Sequence, residues 1–214
     1  MAINWLKYID IVTAMMAWVL LWIHRHKVIQ DDYPDIFTYK QFFLRDYLIT
    51  FLAIPVFWYF IYYISGTYFN VYKKSRLQEA FRGFVSSFIG VTIIGLFVFA
   101  NDTESFTYFF RITTWYFLVH YALLFISRNI YLGYIKRQLI QQKIQIKTLI
   151  VGNNGKANAV FNEIIKNPKI IGYKIVGLVN SNDVPLAQNQ YIENLPYLGE
   201  LNHIEKIIDE QKIE

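Results

Sequence analysis

"KTLIVGNNGKANAVF", residues 147–161, runs an apolar strand into a short glycine turn and then into a helix. Thr148 to Val151 shows no alternation of apolar and polar residues, the pattern of a strand covered on both faces. Gly152 supplies the tight turn. From Ala157, "ANAVFNEIIK" places apolar side chains at helical spacing, and Asn167-Pro168 ends the helix. "YKIVGLVN", residues 173–180, reads as a second strand. Strand, helix and strand within about thirty residues make one βαβ unit, whose crossover should be right-handed. Backbone N–H groups at the helix start then face whatever lies over the turn.

A dinucleotide-binding turn has the form G-x-G-x-x-G, with an acid about 20 residues further on. Here the turn is Gly152-Asn153-Asn154-Gly155-Lys156-Ala157. Asn154 takes the middle glycine position and Ala157 the last, where a small residue is tolerated. The second strand ends in Asn180, so no acid stands where a ribose hydroxyl would be held, and Asp183 comes three residues late. The topology is therefore Rossmann-like with an incomplete fingerprint. Gly152, Asn153, Asn154, Gly155 and Lys156 are the candidate nucleotide-binding positions. Lys156 could meet a phosphate as a point charge, but it reads first as a solvated lysine at a helix start.

Downstream, "YLGELNHIEKIIDEQKIE" predicts a short turn and a helix, with Asn202 and Glu205 spaced as a capping pair. Two strands do not complete a doubly wound sheet. Residues 212–214 read as the lead-in to a third strand, and the expectation is that the chain is the front piece of a longer protein.

Upstream the composition changes. The chain is 55% hydrophobic with only 17% charged residues, whereas soluble domains carry about 25%. The apolar excess lies before residue 128. A bilayer span needs about 20 mostly apolar residues, and four stretches qualify: residues 5–23, 47–65, 84–100 and 108–127. Trp5, Trp22, Tyr47, Tyr62 and Tyr63 fall near segment ends, where amphipathic rings favour the headgroup layer. Pro55 should kink the second. The first lacks a small-residue cleavage site before "HRHK", so it reads as an anchor rather than a signal peptide. The fold class is thus a membrane all-α four-helix transmembrane bundle followed by a partial α/β Rossmann-like domain with a parallel sheet. Its parts are residues 1–127, a basic amphipathic linker helix over 128–146, and residues 147–214.

Charge sets the orientation. The second connection carries Lys73, Lys74, Arg76 and Arg82 against Glu79, and the third carries Asp102 and Glu104 with no base. After the fourth span come Arg128, Lys136, Arg137, Lys143 and Lys147. Positive loops stay cytoplasmic, which puts the N-terminus, the second connection and the C-terminal domain inside. The first connection fits this rule poorly, with Arg25, Lys27, Lys40 and Arg45 offset by Asp31, Asp32, Asp35 and Asp46. The net charge of +5 reads as this bias rather than as nucleic-acid binding, since no basic patch interleaves with stacking aromatics on the soluble part.

Sites for catalysis are scarce. The chain has no cysteine, so disulfide and thiolate chemistry are excluded. His24 and His26 flank Arg25, which opposes a cation. Asp31, Asp32 and Asp35 lack the glycine and closing glutamate of a calcium loop. Lys7 and Asp10 are spaced to pair on one helix face, Arg111 to snorkel, and His120 to make a helix–helix hydrogen bond. There is no nucleophile elbow, metalloprotease helix or Walker loop.

"SGTYFNVYKKSRLQEAFRGF", "TLIVGNNGKANAVFNEIIKNPKIIGYKIVGLVN" and "NLPYLGELNHI" complete a pattern. With four spans ahead of it, this arrangement resembles the front part of the bacterial polyprenyl-phosphate hexose-1-phosphate transferases, over essentially the whole chain. The most telling pieces are Gly66-x-Tyr68 with Arg76 and Glu79, and "GYKIVGLVN" followed by "YLGEL". The resemblance implies transfer of a sugar 1-phosphate from a UDP-sugar to undecaprenyl phosphate, initiating extracellular polysaccharide synthesis at the bacterial inner membrane. It also implies magnesium and an acidic pair in a C-terminal catalytic domain, so no catalytic residue and no metal ligand is assigned to these 214 residues. The Rossmann-like part would be regulatory or structural, with no cofactor required of this chain. The implied partners are the lipid bilayer, polyprenyl phosphate and the UDP-sugar, with a homo-oligomer compatible and no nucleic acid. Two other readings stay open: the front of a membrane-bound nucleotide-sugar dehydratase or epimerase, and a non-catalytic membrane adaptor.

Overall fold

A computed structural model of the chain describes residues 5–32, 43–69, 74–100, 105–152, 155–166, 172–180, 195–211 and 213. It divides into two compact units, Met1–Gly133 and Tyr134–Glu214.

The first unit is helical. α1 spans Leu6–Asp32, α2 Phe43–Ile64, α3 Arg76–Ile94 and α4 Phe106–Ile140. Helices α1, α3 with its extension to Phe99, and α4 are long and apolar enough to cross a membrane. The described apolar part of α2, Ile49–Ile64, is shorter, and Pro55 lies inside that helix. Leu52, Val56 and Phe60 on α2 and Phe81 and Phe88 on α3 are exposed; outward apolar side chains are what a lipid-facing surface requires.

The interior between these helices is aromatic. Trp58 Nε1 donates to Tyr116 Oη at 3.0 Å, and the Trp58 ring stacks on His120 with centroids 3.8 Å apart. Gly90 of α3 makes room for Trp58, since a Cβ there would stand 2.5 Å from two of its ring carbons. α3 finishes as a π-helix, Gly95–Phe99, and the Ala100 N–H reaches back to the Gly95 carbonyl at 3.0 Å. Phe99 is fully buried, edge-on to Tyr116.

α4 differs from the expected pattern. No break separates the fourth span from the basic segment; one helix runs to Ile140 through Gly133. Residues 141–145 then form turns, and the chain enters a strand at Ile146. The segment 128–146 is therefore not a separate linker helix. One glycine costs a helix about 1 kcal/mol, too little to interrupt so long an apolar run.

The second unit holds three parallel strands in the order β1-β2-β3: β1 Ile146–Val151, β2 Tyr173–Asn180 and β3 Tyr197–Glu200. β3 corrects the expectation of two strands with "YLGE" as a turn. It is only four residues long, and its pairing with β2 comes from tertiary contact, not from periodicity. α5, Gly155–Lys166, lies between β1 and β2 in sequence, and α6, Ile204–Gln211, follows a 3-10 turn at Leu201–His203. Asn202 and Glu205 straddle the junction of that turn and α6. Ile150, Ala157 and Leu178 form the core, packed by Phe161, Ile175 and Leu195. Residues 212 and 214 lie outside the described residues.

Candidate functional site

Two places carry polar groups in positions that invite function, one in each unit. The first is the glycine turn at the carboxyl end of β1. Gly152 has φ +101, which side chains rarely adopt, and a Cβ there would meet nothing within 4 Å. The turn is open, as a ligand-facing turn should be. Its first amide is engaged, however: the Gly152 N–H donates to the Val179 carbonyl at 2.8 Å, so it does not face a phosphate. Gly155 opens α5. Asn153 and Asn154 lie outside the described residues, as does the side chain of Lys156. Next to Gly152 in the sheet, Asn180 is buried, and its Oδ1 has no hydrogen-bond partner among the described residues. An amide oxygen accepts hydrogen bonds, so this atom suits a hydroxyl or N–H donor.

The second place is a buried ionic cluster in the helical unit, which sequence reasoning missed. Arg128 of α4 donates through Nε to Asp10 Oδ1 at 3.1 Å and through Nη2 to Asp10 Oδ2 at 2.8 Å. Both side chains are almost fully buried. Asp10 therefore does not pair with Lys7, as the i,i+3 spacing had suggested. The Lys7 ammonium lies over the rings of Tyr59 and Tyr68 at 6.0 and 5.6 Å. Glu79 of α3 stands 3.7 Å from Arg128 Nη1 through Oε2. Its Oε1 accepts from Lys74 at 2.7 Å and Arg82 at 3.0 Å.

The turn after α2 closes this cluster. Lys74 Nζ also donates to the Thr67 carbonyl, and Arg82 Nη1 to the Gly66 carbonyl at 3.2 Å. Burial, and next the Asp10 carboxylate, hold the Tyr68 phenol above its ordinary range. Burial pushes the Lys74 ammonium down, and Glu79 pulls it partly back. The Arg128 guanidinium lies over the Tyr62 ring at 4.5 Å, and the Tyr62 hydroxyl and His120 Nε2 hydrogen-bond at 2.7 Å. The helix–helix hydrogen bond expected of His120 is present. Tyr62 thereby links His120 to Arg128. Gly66, Tyr68 and Glu79, which carried the family resemblance, all belong to this assembly.

Chemically the cluster is a clasp. Each carboxylate is held by cationic donors, as a buried charge requires, and joins α1, α3, α4 and the turn at 66–68. Four other titratable residues singled out earlier, His24, His26, Arg111 and Asp32, have structural partners. His24 stacks on Trp115 at 4.2 Å, His26 on Trp22 at 5.4 Å, and Arg111 donates to Asp32 at 2.6 Å. Asp35 lies outside the described residues. Among the described residues, no group of three or more His, Cys, Asp or Glu is placed to hold a metal ion.

No curated protein and no solved structure matches the chain. A family model does: that of a CoA-binding domain, over residues 63–214. Such domains are found in polyprenyl-phosphate sugar transferases. The match covers more than half of the sequence, taking in Gly66, Tyr68, Glu79, Arg128 and the Gly152 turn, and the chain therefore belongs to the CoA-binding domain family.

Proposed function

We propose that the chain is the membrane anchor and the regulatory or structural portion of a sugar-1-phosphate transferase. The enzyme would move a sugar 1-phosphate from a UDP-sugar to undecaprenyl phosphate, the step that initiates extracellular polysaccharide synthesis at the bacterial inner membrane. One observation carries this reading. The family match is continuous from the end of α2, through two apolar helices, into the parallel sheet, so helices and sheet recur as one unit. The placement is physically sensible: the acceptor lipid is in the bilayer and the nucleotide sugar is in the cytosol. In this reading the magnesium and the acids of the reaction belong to a catalytic part outside these residues.

Coenzyme A, which the family's description names, would need donors for its phosphates at the Gly152 turn. The Gly152 amide is engaged by Val179, which leaves the first N–H groups of α5 as the donors for them, and Asn180 Oδ1 beside the turn is an acceptor. No chemical step is assigned to coenzyme A.

The test is a transfer assay on the natural-length protein in native membranes. Radiolabelled UDP-sugar and undecaprenyl phosphate should give a lipid-linked sugar phosphate with magnesium, while residues 1–214 alone should stay in the membrane and transfer nothing. Conversion of the UDP-sugar to a keto sugar, with no label in the lipid, would favour the dehydratase reading instead.

A further inference from the structure

The ionic cluster of the helical unit is uneven in charge. Among the described residues, Lys74, Arg82 and Arg128 face Asp10 and Glu79, three cations to two carboxylates. Arg82 is its outlet. That side chain is 29% exposed, whereas that of Arg128 is 4% exposed. Only Nη1 of Arg82 is hydrogen-bonded among the described residues, to Glu79 and Gly66. A guanidinium presents five donors in a planar fork, so most of this one remains directed elsewhere.

Arg82 borders a groove of about 510 Å³ between α2 and α3. Gln78 shares its polar end, and Ile61, Ile64, Phe81, Val85 and Ile89 line most of the rest, with Ser65 and Ser86 among them. Ile64, Val85 and Ile89 are exposed along it. From Gln78 to Ile89 it follows α3 for about 16 Å at the helical rise, about half the hydrocarbon thickness of a bilayer. A trough with a basic fork near one end and about 10 Å of wall beyond it, from Arg82 to Ile89, complements the upper part of a hydrocarbon chain bearing an anionic phosphate.

We propose that this groove binds an anionic glycerophospholipid, with the headgroup phosphate on Arg82 beside Gln78 and one acyl chain along Ile64, Val85 and Ile89. The phosphate supplies the third negative charge that the cluster lacks. A zwitterionic lipid would bring its own ammonium against Arg82 and Lys74, so the site should discriminate by headgroup. The inference does not depend on the transferase reading.

The experiment is native mass spectrometry of the detergent-purified chain with equimolar dioleoylphosphatidylglycerol and dioleoylphosphatidylcholine. The wild type should retain phosphatidylglycerol preferentially. Arg82→Gln should lower that retention about fivefold, the effect of losing one basic contact to an anionic headgroup. Because this change also removes a partner of Glu79, Ile89→Trp serves as the second variant; it fills the groove without touching the cluster and should lower retention similarly. Arg137→Gln should leave it unchanged. Equal retention of both lipids, undiminished binding in both groove variants, or an equal loss in Arg137→Gln would overturn the proposal. Displacement of phosphatidylglycerol by equimolar undecaprenyl phosphate would overturn the glycerophospholipid assignment.

Discussion

Asp10 and Arg128 stand 118 positions apart, yet they make a two-pronged contact inside the helical unit. A buried pair contributes little beyond an apolar replacement, but removing one partner strands a charge and costs about 3–5 kcal/mol. Asp10→Asn should therefore lower the unfolding midpoint in detergent markedly, while Asp10→Leu with Arg128→Met should recover most of the loss. A chemical-denaturation series on the three proteins checks this. Lys74 gives a second residue-scale expectation. Burial places its folded-state pKa below the ordinary lysine value of 10.5, so the unfolded chain holds that proton more tightly. Its contribution to stability thus rises with pH as the folded-state pKa is passed, and levels off above 10.5. Comparing alkaline unfolding midpoints of the wild type and Lys74→Met should show this slope only in the former. Neither pair was legible from local spacing. Asp10 has Lys7 three residues away, and Glu79 reads as the lone acid of a basic loop.

Among the elements, the contact of α2 with α3 turns on one missing side chain. A methyl group on Gly90 would press into the Trp58 ring at 2.5 Å, and overpacking of this kind costs about 1–3 kcal/mol. Gly90→Ala should destabilise by that amount. Combined with Trp58→Phe, which removes the crowding carbons, it should cost less than the sum of the two single changes; a thermal-unfolding double-mutant cycle measures the difference. The elements that could be read from sequence were those with a strong local signal. The apolar runs marked the long helices, and "TLIV" and "YKIVGLVN" marked β1 and β2. β3 could not be read because four residues ending in Gly199 and Glu200 carry no periodicity. The extension of α4 to Ile140 was hidden by basic residues that resembled a change of environment.

For the whole molecule, the split between an apolar front and an ordinary back was plain in composition, whereas the charges that bind the front together were not. Loop charges tallied for orientation turned out to include the clasp itself: Lys74, Glu79, Arg82 and Arg128. The orientation rule still makes a sharp prediction, and a chain without cysteine is ready for it. Glu104→Cys should react with a membrane-impermeant maleimide on intact spheroplasts. Ser75→Cys and Asn202→Cys should react only after lysis. The opposite pattern would place the positively charged connection outside.

The wide turn at Gly95–Phe99 also bears on how this helix tolerates a change in length. A π-turn accommodates one residue more than the α-helix it interrupts, so α3 carries a spare position just before the buried ring of Phe99. Deleting Phe97, whose side chain is 78% exposed, should let the segment close into regular α-helix with Phe99 still edge-on to Tyr116. The same deletion at Val91, inside the regular part and buried, should turn everything after it about 100° around the axis and break the packing. Expression and unfolding of the two deletions would distinguish a helix with slack at one end from one that is rigid throughout.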